Sequence, residues 1–350
     1  MPTIRCREVL MILSDGLHGV NNKRPSETNA YPLTFLIMKF RNLIFCLIFT
    51  AALIWFCAGI GFGGWQPPHQ MDETVQSIRL PRVATALLVG AALAAAGAAL
   101  QALFENPLAD PSLIGTSGGA ALGVIIVLAF GVGAIGVPLA AFAGALAVCL
   151  LILAIHRLFG GGTLGLLVLG FVLSAFSAAI VSLILFLSDD MVLRSATIWL
   201  SGSLAEAGFT SPLYAALVMA VGLVLLFWAG KRLDCLMLGE DTAVSMGISV
   251  NATRVQTVVG AALLTGAAVS LSGVIGFLGM MVPNVLAQAV GGRRSKLILL
   301  SAWLGAVFLL AVDSAARWIT YPVDVPVGII IALLGGPFFM WLFVKPMRKG

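Results

Sequence analysis

Residues Arg79 to Gly119, RLPRVATALLVGAALAAAGAALQALFENPLADPSLIGTSGG, decide the fold of this chain. Arg79, Pro81 and Arg82 open an expected helix, about 21 residues from Val83 to Leu103 are almost all Ala, Leu, Val or Gly, and Glu105-Asn106-Pro107 ends it. At a rise of ~1.5 Å per residue that run crosses ~30 Å of hydrocarbon. The polar break that follows, with Pro107 and Pro111, is tolerable near a membrane only where the freed backbone groups meet protein or water rather than lipid. A simple anchor needs no such break, and breaks of this kind sit along transport paths.

The rest of the chain is the same kind of object. Hydrophobic residues make up 60% and charged residues 10% of its 350 residues, and the mean hydropathy is +1.06; in soluble domains charged residues alone are about a quarter. The reading is an all-α, polytopic membrane protein. With ~30 residues for each crossing and its loop, the length holds roughly ten spans and no sizeable soluble domain. They are expected at about 42–62, 82–104, 113–133, 135–155, 163–187, 211–229, 255–274, 276–292, 297–318 and 326–344. Residues 1–40 read as a disordered or mis-assigned N-terminal tail, because Met38-Lys39-Phe40-Arg41 stands like a translation start before an apolar run. Residues 41–350 read as one ten-helix domain. A cleaved signal peptide is the competing reading, but 42–62 is longer than a signal core and has no small-residue exit.

Basic residues set the orientation. With the N-terminus inside and ten crossings, Arg79, Arg82, Arg194 and Arg317 fall outside and the other sixteen of the 20 lysines and arginines fall on the cytoplasmic side. That bias places both termini in the cytoplasm and accounts for the net charge of +5 without a nucleic-acid partner. Three of the exceptions, Arg79, Arg82 and Arg317, lie at the outer ends of expected spans. They fit either carboxylate receptors for an external partner or guanidiniums that snorkel to headgroups. Asp313, one turn before Arg317, can pair with it.

The longest polar stretch after the N-terminus is Lys231 to Arg254, KRLDCLMLGEDTAVSMGISVNATR. Gly239 and Gly247 divide it into two short amphipathic pieces whose apolar residues, among them Leu238, Val244 and Met246, fit a groove on a cytosolic partner or a membrane surface. Internal symmetry is faint: Val89-Gly-Ala-Ala-Leu in the second expected span recurs as Val259-Gly-Ala-Ala-Leu in the seventh, the mark of an inverted repeat of spans two to five and seven to ten.

Negative findings narrow the chemistry. There is no G-x-x-x-x-G-K-[ST] string, so nucleotide phosphates are not cradled by a P-loop here. Gly115-Thr116-Ser117-Gly118-Gly119 has no histidine placed to serve as a base, and small residues for close helix packing explain it better. His18, His69 and His156 make no metal-ligand spacing. Cys6, Cys46, Cys57, Cys149 and Cys235 are dispersed and read as apolar fillers. Proton- or sodium-coupled carriers need ionisable groups within the membrane, and Asp313 beside Arg317 is the one candidate. No catalytic or metal residue is expected.

Four motifs, in order, resemble the iron-chelate and vitamin B12 permease family (FecCD type) of binding-protein-dependent ABC importers. They are the Arg79–Gly119 stretch, LGEDTAVSMGI at 238–248, SGVIGFLGMMVP at 272–283 and PVGIIIALLGGPFF at 326–339, and the likeness covers about 42–344. It implies a permease subunit in the bacterial inner membrane that pairs with a second copy of itself, two cytosolic ATPase subunits and a periplasmic binding protein. It also implies that ATP and Mg are held by the partner ATPase, with no cofactor and no enzyme activity on this chain. Arg79, Arg82 and Arg317 match the family's receptors for acidic residues of the binding protein, and Leu238, Gly239, Glu240, Asp241, Ala243, Val244, Met246 and Gly247 match its ATPase contact. Ser174, Ser177 and Ser182 of the fifth span, with Trp199 in a short helix at 191–201, match its translocation path. The chain departs from the family at Val282-Pro283-Asn284-Val285-Leu286-Ala287, where many relatives read V-P-H-x-x-R. The substrate expectation is a ferric siderophore first, then haem, cobalamin or a molybdate-type oxyanion. A secondary carrier is the reading from a different class.

Overall fold

The computed structural model describes residues 46–61, 64–131, 136–209, 212–289, 293–320 and 322–347; the expected tail at 1–40 lies outside them. Helix α1 (Cys46–Gly59) runs into an antiparallel hairpin of β1 (Ile60–Gly61) and β2 (Gly64–Trp65), with Ile60 opposite Trp65. Next come α2 (Glu73–Leu103), a 3-10 turn at Pro111–Ile114, α3 (Thr116–Phe130), α4 (Val137–Phe159), α5 (Gly162–Leu187) and α6 (Asp190–Leu200). After a second 3-10 turn at Ala205–Phe209 the chain forms α7 (Leu213–Leu236), α8 (Glu240–Ser245), α9 (Val250–Ser272), α10 (Leu278–Ala289), α11 (Arg294–Ile319) and α12 (Val327–Met347). The protein is all-α and polytopic, as its composition predicts.

Helices α2, α4, α5, α7, α9 and α11 are each long and apolar enough to cross a membrane. The ten expected spans correspond, among the described residues, to these six helices together with α1, α3, α10 and α12. The expected span at 276–292 is the largest departure. Its helix α10 has 12 residues, or ~18 Å, well short of ~30 Å of hydrocarbon. Positive φ angles at Gly273 and Phe277 (67° and 65°) take the backbone out of helix between α9 and α10, so the chain enters α10 part-way along its neighbours. At the other end of the sequence, α2 begins at Glu73 rather than near Arg82 and runs through Pro81. The hydrogen bond that proline forfeits falls near the exposed first turns, where water can take the orphaned carbonyl.

Glycine and alanine set the helix spacing. Gly90 of α2 faces Gly305 of α11 so closely that a Cβ on either would overlap the other's carbonyl oxygen; a Cβ on Gly97 would overlap the carbonyl of Gly279 in α10, and one on Gly279 would meet Pro111 and the Leu93 carbonyl. Gly119 and Gly123 of α3 meet Gly144 and Ala140 of α4 in the same way. In a bilayer, where lipid tails are as apolar as leucine, such close backbone approach supplies the packing that holds helices together. Helices α2 and α9 are the most buried of the six long ones, and α5 is the least, its open face carrying Phe171, Val172 and Phe176. The repeated Val-Gly-Ala-Ala-Leu strings fall on those two central helices. Cys46, Cys57 and Cys149 are free thiols. Cys235 is buried in the last turns of α7, with its Sγ 3.6 Å from the Lys231 carbonyl oxygen.

Candidate functional site

The end of the bundle formed by the start of α2 and the finish of α11 carries the three arginines singled out by sequence. Because α2 and α11 run antiparallel, with Gly90 at Gly305, Arg82 arrives opposite Asp313. Its Nη2 donates to Asp313 Oδ1 at 2.8 Å, and its Nε lies 3.2 Å from both carboxylate oxygens. The other side of the same guanidinium donates to Asp324 at 2.6 and 3.0 Å. Arg317 donates through Nη1 to the Ile60 carbonyl at 2.9 Å and through Nη2 to Ser314 Oγ at 3.1 Å. Its Nε stands 3.1 Å from Asp313 Oδ2, close enough for an ion pair although the N–H points off the oxygen.

Arg82, Arg317 and Asp313 are all buried. Arg79 differs: it is half-buried, and its Nη1 reaches only the Gly59 carbonyl at 3.3 Å and Met71 Sδ at 3.5 Å. Arg82 and Arg317 thus share Asp313, Arg82 also holding Asp324, while Arg79 stands outside that network. Sequence spacing showed the Asp313–Arg317 pair but not the Arg82–Asp313 and Arg82–Asp324 contacts, which join residues more than two hundred positions apart.

The opposite end carries α8. Gly239, with φ 105°, turns the chain into this six-residue helix, and Gly247, with φ 79°, releases it toward α9. Of the polar stretch expected as two short amphipathic pieces, residues 231–236 finish α7, Glu240–Ser245 form α8 and those from Val250 open α9. Ala243 is fully buried at the root of α8, whereas Val244 and Leu238 are exposed and Met246 and Ile248 are half-buried. Glu240 and Asp241 lie in its first turn, and Glu240 pairs with Arg254 of α9.

The four expected path residues fall in different surroundings. Ser182 is exposed and Trp199 half-buried, Trp199 lining a cavity of about 360 Å³ with Ser195, Ser203 and Ser270. Ser174 and Ser177 face Gly118 of α3, Ser177 being buried there.

The chain matches the model of the FecCD transport family over residues 43–345. It belongs to that family. It is 38% identical, over 78% of its length and 84% of the relative's, to the hemin transport system permease protein HmuU of Yersinia pestis. It is also 38% identical, over 81% of its length and 86% of the relative's, to the vitamin B12 import system permease protein BtuC of Vibrio cholerae. Among solved structures it is similar to an inward-facing transporter described as of the metal-chelate ABC type, with a TM-score of 0.77, 30% identity and coverage of 87% of this chain and 99% of that one.

This FecCD chain is therefore a multi-pass membrane permease. Its Asn284 turns inward: Nδ2 donates to the Pro107 carbonyl at 2.6 Å and to Met280 O at 2.9 Å, tying α10 to the break after α2. Gln101 adds a second tie to the Met280 carbonyl at 3.0 Å. Among the described residues, no group of three or more His, Cys, Asp or Glu side chains is placed to hold a metal ion.

Proposed function

We propose that two copies of this chain form the membrane core of an ABC importer that carries a ferric siderophore from periplasm to cytoplasm, with both termini in the cytoplasm. The observation that carries this reading is the family match along nearly the whole chain, joined to structural likeness to a metal-chelate type ABC transporter. On this reading ATP and Mg are bound by two partner ATPase subunits docked on α8, and a periplasmic binding protein delivers cargo to the arginine end. The relatives named for hemin and vitamin B12 keep those chelates as alternatives, and an oxyanion is the remaining one. The siderophore is placed first because Asn284 and Ala287 stand where many relatives have imidazole and guanidinium, and Asn284 spends its amide on backbone carbonyls.

The path runs along Ser182 and Trp199, where hydroxyl and indole groups on an otherwise apolar wall let a bulky chelate slide without tight binding. A secondary carrier fits less well, since Asp313, the ionisable group such a carrier would use, is consumed by two arginines. The deciding experiment is uptake of an 55Fe-loaded hydroxamate siderophore, against hemin and cobalamin, into proteoliposomes holding the permease, its ATPase and its binding protein. Uptake that needs ATP and is saturated by the siderophore supports the proposal. Uptake driven by an ion gradient without ATP overturns the importer reading, and preference for hemin or cobalamin overturns the substrate.

A further inference from the structure

Arg254, in the second turn of α9, is a buried guanidinium whose three nitrogens go to three different places. Its Nη2 meets the Glu240 carboxylate at the start of α8. Its Nε donates to Thr163 Oγ1 at 2.9 Å, in the first turn of α5, and its Nη1 donates to Asn251 Oδ1 at 3.2 Å on its own helix. Helix α8 itself packs on α7 and α9. The Arg254 side chain is therefore a polar bridge from α8 to α5 through the body of α9.

The α5 end of that bridge is hung on an unusual turn. Gly160, Gly161 and Gly162, which join α4 to α5, all have positive φ (73°, 105° and 60°), a backbone that glycine adopts without the steric cost a side chain would add. A Cβ on Gly160 would meet nothing within 4 Å, one on Gly161 would meet only Gly165 of the same segment at 3.1 Å, and one on Gly162 only Arg254 Nη2 at 3.7 Å, so on their Cβ sides the contact these glycines make beyond their own segment is Arg254. A helix leaving such a turn is fixed in position less by the turn than by what grips its first residues, and Thr163 is gripped by Arg254.

We infer that Arg254 is a positioning residue for coupling: it carries displacement of α8 to the first turn of α5, which pivots on Gly160–Gly162. A buried guanidinium that loses its carboxylate is left with an uncompensated charge, so Arg254 follows Glu240 when α8 moves. Thr163 accepts from the same planar group and is drawn along with it. A flexible ammonium would not do this, because the fixed fork of guanidinium donors makes movement at one nitrogen movement at the others. The inference rests on the reading that the ATPase docks on α8, and it adds the route by which that contact reaches the helix beside the path.

The test is hydrogen–deuterium exchange on the permease–ATPase complex in nanodiscs, with and without MgATP and vanadate. Peptides covering 240–248 and 160–168 are followed in wild type, Thr163→Val and Arg254→Met. In wild type both peptides change exchange when nucleotide is trapped. Thr163→Val keeps the shape of the side chain but not its acceptor, so the nucleotide-dependent difference at 160–168 is lost while that at 240–248 persists; Arg254→Met gives the same split. A wild-type response at 160–168 in Thr163→Val overturns the bridge while leaving ATPase docking on α8 intact. Silence at 240–248 in wild type overturns the docking reading and the bridge with it.

Discussion

Arg82 and Asp313, 231 residues apart in sequence, meet in the interior of one end of the bundle, guanidinium against carboxylate at 2.8 Å. The antiparallel run of α2 past α11 brings them together, and the small residues between those helices allow the approach. Asp313 also faces Arg317, so one buried carboxylate compensates two buried cations.

Removing that carboxylate leaves both guanidiniums without their shared partner. Asp313→Ala is expected to cost about 3–5 kcal/mol, the range for breaking a buried ion pair, read as a fall in the unfolding temperature of the purified permease in detergent. Asp324→Ala is expected to cost less, because its side chain is 25% exposed and water already shares in solvating the pair. Equal losses from the two variants would mean that Asp313 is not the centre of the network.

The same geometry separates the three arginines as docking residues. Arg82 and Arg317 are committed internally, whereas Arg79 is half-buried with weaker partners. Arg79→Glu is expected to weaken association with the binding protein about tenfold, by ~1–2 kcal/mol, and to flatten the dependence of the residual affinity on salt, without lowering thermal stability. Arg82→Glu is expected to destabilise the protein first. Unchanged affinity for Arg79→Glu in nanodiscs would leave that residue to lipid headgroups.

Much of the architecture was legible in sequence because burial in lipid is written in composition. The apolar runs located the long helices, and the short helix expected at 191–201 forms at Asp190–Leu200, where the Asp189 side chain accepts from the Val192 N–H. Helix lengths were less legible. Nothing local marks Phe277 as adopting positive φ, so the shortness of α10 could not be read from an apolar string that looks continuous. Arg82 was found as a candidate by type, but its partner Asp313 was not, and Asn284–Pro107 and Arg254–Thr163 were not legible at all, because such pairs depend on which helices lie side by side. The positions of Ser174 and Ser177 against Gly118 are hidden for the same reason, since alternation along α5 does not say which face meets α3.

That difference among the serines can be measured. With the native cysteines replaced, Ser182→Cys is expected to react readily with a water-soluble maleimide in the assembled transporter and Ser177→Cys slowly, as Ser182 is exposed and Ser177 buried. Leu217→Cys, exposed on the apolar α7, is expected to be shielded by lipid. Equal labelling of Ser182→Cys and Leu217→Cys would remove Ser182 from the path.

Close packing at Gly97 and Gly279 leads to a further stability test. A methyl on Gly97 overlaps the Gly279 carbonyl, and the obstacle is backbone, which cannot swing aside. Gly97→Ala is expected to destabilise by about 1–3 kcal/mol or to block folding. Gly276→Ala, where a Cβ meets nothing within 4 Å, is the control and should behave as wild type. A neutral Gly97→Ala would show that α2 and α10 are more widely spaced than described.

Coupling through α8 is testable because adjacent residues there have opposite surroundings. Val244 is 61% exposed while Ala243 beside it is fully buried against the bundle. If the ATPase groove covers Val244 and Leu238, each contributes ~1–2 kcal/mol of apolar burial at that interface. Val244→Asp with Leu238→Asp places two charges in the groove without touching the permease interior. The double variant is expected to keep its unfolding temperature and its hold on the binding protein, to release the ATPase in pull-down and to lose ATP-driven uptake. Ala243→Asp buries an unpaired carboxylate and is expected to lower the unfolding temperature instead. If Val244→Asp with Leu238→Asp retains both the ATPase and uptake, the contact that delivers ATP-driven motion lies elsewhere on this end of the bundle.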